Sequence, residues 1–341
     1  MKIVDLRSDT LTRPDEAMRE VMARAEVGDD VFHEDPSVNR LQDLAAEMTG
    51  KEAALFVPSG SMGNLASLLA QTERGDEIYL GNQDHIFKYE AASAALVGGI
   101  QPHIFPNRPD GTLDLDEVEA AQRTDDAHQP RSRLIVMEST HNRCAGTPLP
   151  LEYMAAVREL ADRCGLAVHL DGARIFNAAV ALGRPVAELC AFADSLTFCL
   201  SKGLTAPVGS VICGSKDIVF RAYRARKMLG GGMRQAGIIA AAGVYALENR
   251  VERLAEDHKN ARRLAEGLAA LPGLTVDPVP SNMVYIELQG DRDVKDFLAA
   301  MDRRGVRFFN LSGRRFRLVT HFHVSSEDVD AAIAEFAAEL N

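Results

Sequence analysis

Lys202 and Asp171 are the two residues of this chain whose types and positions most directly suggest chemistry. Each follows a short apolar run that is typical of a strand, and about thirty residues separate them. A lysine at the end of a buried strand is costly unless its amine has a task. An imine with a carbonyl cofactor is one such task, because it removes the ammonium charge. A surface lysine that closes a strand is the alternative.

Asp171 favours the cofactor interpretation. A carboxylate at the C-terminal end of a strand lies at the edge where α/β sheets bind ligands. There it can pair with a protonated pyridine nitrogen and help to make the ring an electron sink. A strand-end acid followed by a strand-end lysine is the arrangement expected of an enzyme that uses pyridoxal 5'-phosphate. Each half alone is common in ordinary α/β proteins.

A phosphate site is predicted at Ser59, Gly60 and Ser61. These small residues stand between a strand-like run, residues 53–57, and a helix-like run, residues 65–71. A turn of this kind directs free backbone N–H groups at an anion. An ordinary helix N-cap is the alternative, because the segment lacks both the G-x-G-x-x-G fingerprint and the P-loop lysine.

Four other side chains are candidates for binding. His85 follows a strand-like run at the ligand edge, where an imidazole could stack on a cofactor ring, although most lone histidines are structural. Arg317 has apolar strand neighbours and needs an anion, either a substrate carboxylate or an internal salt-bridge partner. Lys227 and Arg234 flank three glycines and are candidates to neutralise a phosphate, including one that belongs to a neighbouring subunit.

The composition argues against several classes of protein. The chain has 341 residues, 46% hydrophobic, with a net charge of −11, which predicts a globular protein without a nucleic-acid surface. We expect no membrane span and no signal peptide. Five cysteines without C-x-x-C spacing favour a reduced, cytoplasmic compartment. His321 and His323 have no further ligand at metal spacing, so no metal site is predicted.

The elements that must position these residues alternate between strand and helix from residue 51 to residue 213, which predicts βαβ units and a mostly parallel sheet. A helix is expected to run from residue 86 through an alanine-rich stretch to residue 96. Residues 238–270 are expected to form one long helix or two abutting ones.

The C-terminal part is expected to be a smaller α/β unit. Prolines and a glycine between residues 272 and 280 mark a boundary, and Ser326 is the expected N-cap of the last helix. We expect a large cofactor-binding domain over residues 1–250 and a small domain over residues 251–341. The N-terminal segment is a candidate to pack on the small domain.

Longer motifs resemble one known family. The matching segments are DLRSDT (residues 5–10), VGDDV (27–31), KEAALFVPSG (51–60), HLDGAR (169–174), LSKGL (200–204), GGGMRQAG (230–237) and LVTH (318–321). In this order, and over nearly the whole chain, they resemble the low-specificity L-threonine aldolases. The resemblance implies a fold type I, aspartate aminotransferase-like enzyme that depends on pyridoxal phosphate.

The resemblance also implies roles for the cofactor site. Lys202 would carry the cofactor imine, Asp171 would pair with the pyridine nitrogen, and His85 would stack on the ring. Arg174 would contact the ring hydroxyl. The phosphate would lie against Ser59, Gly60 and Ser61, helped by Lys227 and Arg234 of a partner subunit.

The implied reaction is retro-aldol cleavage of a β-hydroxy-α-amino acid, L-threonine or L-allo-threonine, to glycine and an aldehyde. Ser8 and Arg317 would hold the substrate carboxylate. His85 and His128, the latter in a segment that predicts a loop, are the candidates for handling the β-hydroxyl proton. The resemblance further implies a homotetramer, a dimer of dimers with shared active sites.

The sequence departs from the family pattern at several positions. Ser139 stands where asparagine is usual, Thr205 where glycine is usual, and Phe32-His33 where tyrosine-glycine is common; Lys88 and the Ala91-Ala92 pair lie close to His85. These departures leave the preferred substrate open. Two alternatives keep the fold: a β-eliminating lyase or racemase, and a non-catalytic protein that binds amino acids. A nicotinamide enzyme is a more distant alternative, because no dinucleotide fingerprint is present.

Overall fold

The computed structural model describes residues 3–340 of the chain. The N-terminal segment contains a short strand, β1 (Val4–Asp5), a 3₁₀ turn (Asp9–Leu11) and two helices, α1 (Glu16–Ala23) and α2 (Pro36–Thr49). An aspartate precedes each of these helices as its N-cap. The side chain of Asp15 accepts the backbone N–H of Met18, and that of Asp35 accepts the N–H of Val38.

A seven-stranded sheet forms the centre of the larger unit. Its strands are β2 (Ala53–Val57), β3 (Glu77–Gly81), β4 (Gln101–Phe105), β5 (Ser132–Glu138), β6 (Ala167–Asp171), β7 (Ser195–Cys199) and β8 (Ser210–Gly214). The spatial order is β2-β8-β7-β6-β5-β3-β4, and only β8 runs antiparallel to its neighbours. This arrangement confirms the predicted α/β class with a mostly parallel sheet.

Helices cover both faces of this sheet. They are α3 (Gly60–Gln71), α4 (His85–Lys88), α5 (Leu115–Ala120), α6 (Leu151–Cys164), α7 (Ile175–Leu182), α8 (Val186–Cys190), α9 (Lys216–Met228) and α10 (Gly237–Asn249). The inner strands β6 and β7 are buried on both sides, so their polar residues His169, Ser195 and Thr197 are buried as well.

The smaller unit has its own core around a four-stranded antiparallel sheet. Its elements are α11 (Leu254–Ala269), β9 (Leu274–Val276), β10 (Met283–Leu288), α12 (Val294–Arg303), β11 (Val306–Arg307), β12 (Phe309–Ser312), β13 (Arg315–Val319) and α13 (Ser326–Leu340). The sheet order is β12-β13-β10-β9, and β1 pairs in parallel with β11. Val4 and Leu6 therefore pack in this core and not in the larger one.

The helix expected over residues 86–96 is wrong. The helix ends after α4, at Lys88. Ala91 and Ala92 adopt positive φ angles of 53° and 54°, and a π-helical turn follows at Ala94–Gly98. Alanine favours a helix in isolation, so contacts elsewhere in the fold override the local preference. Because α4 ends at Lys88, Glu90 lies outside the helix, and its Oε1 is 2.8 Å from His85 Nδ1.

Smaller differences concern helix ends. Residues 238–270 form two helices, α10 and α11, as one of the two alternatives predicted. Helix α3 begins at Gly60 and not at residue 65. The side chain that caps α13 is Ser325, whose Oγ accepts the N–H of Asp328, and not Ser326. Within residues 3–340, none of the helices has the length and apolar character needed to cross a membrane.

Candidate active site

The carboxyl ends of β3, β5, β6 and β7 lie along one edge of the large sheet, and a cleft of about 470 Å³ opens there against the smaller unit. Five residues predicted from the sequence line it: Ser8, His85, Arg174, Lys202 and Arg317. The other lining residues are Thr10, Tyr89, Asn142, Arg143, Phe309, Asn310 and Leu311. The fold thus brings together residues that lie more than 300 positions apart.

Lys202 occupies the turn after β7 with its amine free. Among residues 3–340, no side chain forms a hydrogen bond or ion pair with its Nζ. Its backbone carbonyl is held, accepting from Thr12 Oγ1 at 2.7 Å and from Thr205 N at 2.9 Å. A fixed backbone with an unpaired amine in a cleft is what a nucleophilic lysine requires.

Asp171 ends β6 and is 2% exposed. Its Oδ2 accepts from Asn64 Nδ2 at 3.0 Å, and its Oδ1 accepts from Ala173 N at 3.2 Å. Asn64 lies one turn into α3, so this contact fixes the start of α3 next to the carboxylate. A buried carboxylate with neutral donors fits a cationic ring nitrogen.

The start of α3 offers an anion cradle. Ser59 is the N-cap, and its Oγ accepts from Met62 N at 3.2 Å, which leaves the N–H groups of Gly60 and Ser61 without an intrahelical acceptor. A Cβ on Gly60 would lie 2.9 Å from Cys199 Sγ. The adjacent Ser210 Oγ is buried without a hydrogen-bond partner. An orphaned hydroxyl and free N–H groups at a helix start fit a phosphate.

His85 begins α4 and contacts two carboxylates. Its Nδ1 lies 2.8 Å from Glu90 Oε1, and its backbone N–H donates to Glu138 Oε2 at 2.6 Å. Burial opposes protonation, but the hydrogen bond to Glu90 and the charge of Asp171 outweigh it and raise the pKa of His85. Burial and the charge of Asp171 also raise the pKa of Glu90, against the hydrogen bonds that it accepts.

Arg174 is buried in an ion pair that its assigned role did not anticipate. Its Nε and Nη2 each lie 2.7 Å from an oxygen of Asp9. Although burial opposes ionisation of Asp9, Arg174 lowers the pKa of this carboxyl far below its usual range. The resemblance implied contact with a ring hydroxyl, and the structure shows that two of the nitrogens of Arg174 are already engaged.

Arg317 lies on β13 with no carboxylate partner among residues 3–340. Its Nη1 donates to Asn142 Oδ1 at 2.6 Å and its Nη2 to the Arg7 carbonyl at 3.2 Å, while its Nε is buried without a partner. Burial and the nearby Arg174 lower its pKa. The internal salt bridge considered from the sequence is absent here, so the guanidinium remains available for an anion in the cleft.

Ser8 and Glu138 organise the two sides of the cleft. Ser8 caps the 3₁₀ turn, and its Oγ accepts from Thr10 N at 3.2 Å. Glu138, fully buried at the end of β5, accepts from His85 N and from Asn142 N. Glu138 therefore holds the backbone of His85 next to that of Asn142, whose side-chain amide contacts Arg317.

Among residues 3–340, two groups of side chains have N and O atoms close enough to one another to hold a metal ion. One consists of Asp84, Glu138 and His141, and the other of His85, Glu90 and Asp171. In both groups the atoms are hydrogen-bonded to one another, to Asn64 or to backbone N–H groups.

Three predicted residues, His128, Lys227 and Arg234, lie away from the cleft and from the neighbouring Asp171 and start of α3. His128 is on an exposed loop, with 92% of its side chain accessible and Nδ1 2.8 Å from Asp126. Arg234 pairs with Asp29 at 3.0 Å, and Lys227 is exposed at the end of α9. The structure of one chain does not bring His128 together with His85, so its catalytic role stays a prediction.

Sequence reasoning missed Asp9, Asn64 and Glu90. Asp9 belongs to a segment that matched the family, but no local pattern pairs it with a residue 165 positions away. Asn64 sits in the first turn of a helix that was expected to begin later. The sequence predicts Glu90 to lie on a helix that in the structure ends at Lys88. The only feature of the sequence that could have indicated these three residues is that each has a polar side chain, and burial of that side chain is visible only in the structure.

Comparisons with known proteins give matches over most of the chain. The Beta-eliminating lyase family model matches residues 5–290. The chain is 48% identical to the low specificity L-threonine aldolase of Escherichia coli strain K12, over 99% of both chains. It is 46% identical to a probable low-specificity L-threonine aldolase 2 of Arabidopsis thaliana, over 98% of this chain and 97% of the relative. A solved structure of Leishmania major threonine aldolase superposes with a TM-score of 0.85 at 18% identity, over 99% of each chain.

Proposed function

Because this chain belongs to the low-specificity L-threonine aldolases, within the beta-eliminating lyase family, we propose that it is an aldehyde-lyase that uses pyridoxal phosphate. It cleaves the Cα–Cβ bond of L-threonine, L-allo-threonine and related β-hydroxy-α-amino acids to glycine and an aldehyde. The observation that carries this proposal is the unpaired Lys202 amine, which shares a cleft with His85 and Arg317.

The cofactor site fits a ring that bears a carbonyl, a basic nitrogen and a phosphate. Lys202 would hold the carbonyl carbon, Asp171 the ring nitrogen, and the N–H groups of Gly60 and Ser61 the phosphate. When bound, the cofactor supplies an electron sink for the substrate α-carbon. Arg174 remains held by Asp9 through the N–H of Nε and one N–H of Nη2, so the N–H groups of Nη1 and the second N–H of Nη2 are left for the ring hydroxyl.

Protein residues orient the substrate and move its protons. Arg317 and Ser8 bind the α-carboxylate at the side of the cleft formed by the N-terminal segment and β13. His85 takes the proton of the β-hydroxyl, and the electron pair of the O–H bond becomes the aldehyde C=O bond as Cα–Cβ breaks. The α-carbon receives one proton, and glycine forms. The overall reaction consumes no other reagent.

The test is to incubate the purified protein with L-threonine and with L-allo-threonine and to measure glycine and acetaldehyde. Lys202→Ala should abolish both products, because the amine has no substitute in the cleft. Lys216→Ala, an exposed lysine at the start of α9, is the matched control and should retain activity. A wild-type protein that binds the cofactor and releases no aldehyde contradicts the proposal, and ammonia with a keto acid would instead indicate β-elimination.

We further propose that the chain acts in the cytoplasm as a homotetramer, a dimer of dimers in which Lys227 and Arg234 reach the partner's phosphate site. The exposed position of Lys227, outside its own cleft, supports this. If the sites are shared, mixing inactive Lys202→Ala with inactive Arg234→Ala subunits should restore part of the activity. Light scattering gives the subunit number, and an active monomer would contradict the proposal.

A further inference from the structure

The carboxylate of Glu90 lies next to the imidazole of His85 because α4 ends between the two residues, at Lys88. Tyr89, with a φ of −127°, leaves the helical path before Glu90, and Ala91 and Ala92 after it adopt positive φ angles. As a result Glu90 is 4% exposed, and its Oε1 lies 2.8 Å from both His85 Nδ1 and Asn64 Nδ2. One carboxylate oxygen thus joins an imidazole that faces the cleft to an amide buried under it.

The orientation of the Asn64 amide follows from its neighbours. One end of the amide lies 2.8 Å from Glu90 Oε1 and 3.0 Å from Asp171 Oδ2. Because carboxylate oxygens accept hydrogen bonds, the group at this end must be the NH₂ donor. The amide oxygen then faces His169 Nε2 at 3.2 Å, so His169 donates from that nitrogen. Burial lowers the pKa of His169 to about 4, which keeps this imidazole neutral near pH 7.

The same network extends one step further and is consistent throughout. With the proton of His169 on Nε2, its Nδ1 accepts from Ser195 Oγ at 2.8 Å. Ser195 Oγ in turn accepts from Gln71 Nε2 at 2.7 Å. Each hydrogen bond of this network therefore has one donor and one acceptor. The series of donations that starts at Gln71 ends at the carboxylates of Glu90 and Asp171.

This polarity determines which nitrogen of His85 carries the proton. Glu90 Oε1 is an acceptor in the network, so His85 Nδ1 must donate to it. We propose that Glu90 is a positioning residue that holds the proton of His85 on Nδ1 and so leaves Nε2 as the acceptor for the β-hydroxyl proton of the substrate. This inference rests on the proposed aldolase function and assigns the reacting atom within it.

The charges around His85 support that role. Glu90, Asp171 on β6 and Glu138 on β5 are the carboxylates whose charges act on the imidazole. Lys202, Arg143, Arg174 and Arg317 are the cations that line the same cleft, and the ring of Tyr89 lies 5.4 Å from that of His85. During the reaction the β-hydroxyl proton moves to Nε2 while the Nδ1 proton stays hydrogen-bonded to Glu90. The resulting imidazolium is next to a carboxylate that stabilises it.

Two substitutions of Glu90 distinguish the role of its acceptor oxygen from the role of its negative charge. Glu90→Gln keeps an Oε1 that accepts from Nδ1, whereas Glu90→Leu removes the acceptor at a similar volume. We expect Glu90→Leu to lower kcat by about 100-fold, which is the scale of a misdirected general base, with little change in KM. Glu90→Gln should retain most of kcat. Because it removes a negative charge, it should also lower the pKa of His85 and move the acid limb of kcat/KM to lower pH.

The pKa of His85 can be measured without turnover from the exchange of its C2 hydrogen for deuterium, followed by mass spectrometry. Trypsin releases residues 75–88, a peptide in which His85 is the only histidine. The matched control is Glu77→Gln, which removes another buried carboxylate beside a histidine, His103 at 3.3 Å, outside the cleft. It should change neither the pKa of His85 nor kcat.

Three outcomes would overturn the inference: an unchanged kcat in Glu90→Leu, an equal loss of kcat in both variants, or a His85 pKa that neither variant lowers. An equal loss would mean that Glu90 itself transfers the proton. If Glu90→Leu does not fold, the His85 pKa and the acid limb in Glu90→Gln decide alone. Failure of the proposed function is a separate result, since a wild-type protein that releases no aldehyde would still give a measurable His85 pKa.

Discussion

Asp9 and Arg174 form a buried, two-point ion pair that joins the N-terminal segment to the large sheet. Each carboxylate oxygen lies 2.7 Å from a guanidinium nitrogen, and both side chains are at most 6% exposed. Asn282 of the smaller unit also reaches Asp9, at 3.4 Å. Three parts of the chain therefore meet at one carboxylate beside the cleft.

Asp9→Asn should lower the free energy of unfolding by about 3–5 kcal/mol, because it leaves the Arg174 charge buried without its partner. Urea unfolding at pH 7 measures the change. The matched control is Asp5→Asn, which breaks the half-exposed pair of Asp5 with Arg7 and should cost about 0.5 kcal/mol. Equal losses in the two variants would mean that the buried pair has no special weight.

Ser59 and Ser61 should have separable effects. Ser59→Ala removes the N-cap of α3 and should cost about 1 kcal/mol of stability. Ser61→Ala leaves the cap intact and should instead weaken cofactor binding, because the hydroxyl lies at the predicted phosphate site. Thermal unfolding of the apoprotein and titration with pyridoxal phosphate distinguish the two. A Ser61→Ala protein that binds the cofactor normally would exclude the Ser61 hydroxyl, but not its backbone N–H, from phosphate binding.

Thr205→Gly should stabilise the turn that carries Lys202. Thr205 has a φ of 69°, and its hydroxyl is buried without a partner. Since this left-handed conformation costs a β-branched residue about 1–2 kcal/mol, we expect an increase of about 1 kcal/mol in the free energy of unfolding. Ala206→Gly, one position later at an ordinary φ, is the control and should destabilise. A loss of stability in Thr205→Gly would show that the threonine makes a compensating contact.

The sequence predicts the residues at the ligand-binding edge of the sheet better than it predicts the residues that hold them in position. Lys202 and Asp171 could be placed because apolar strands end at both, and parallel strands share one carboxyl edge. Glu90 could not be placed, since the alanine-rich sequence after it predicts one continuous helix, whereas α4 ends at Lys88, two residues before Glu90. His33 and Thr205, noted as departures at usual glycine positions, also have positive φ angles. Those departures therefore reflect backbone strain, which an isolated sequence does not display.

His169 should make stability depend on pH. Burial lowers its pKa in the folded chain to about 4, whereas in the unfolded chain it is about 6.5. As the pH falls from 6.5 towards 4, the unfolded chain binds a proton that the folded chain refuses, so stability decreases. Between pH 7 and pH 5 this residue should account for a loss of about 2 kcal/mol.

The measurement for His169 is the difference in urea unfolding between wild type and His169→Gln at the two pH values. Gln cannot titrate, so the variant should lose about 2 kcal/mol less on acidification, whatever its stability at pH 7. Comparing slopes removes the contributions of His85 and His141, whose pKa values are raised and which act in the opposite direction. Identical slopes would contradict a neutral His169 in the hydrogen-bond network.

Arg317→Gln should raise KM for L-threonine by about 10–100-fold, because a charge-assisted hydrogen bond to the substrate carboxylate contributes about 1.5–3 kcal/mol. The partial satisfaction of Arg317 by Asn142 and the Arg7 carbonyl holds the guanidinium in place before substrate arrives. Steady-state kinetics at saturating cofactor give KM and kcat separately. Arg315→Gln is the matched control on the same strand: Arg315 pairs with Asp277 outside the cleft, so its loss should leave KM unchanged. If both variants raised KM equally, the effect would come from the general loss of positive charge, and Arg317 would have no direct contact with the substrate.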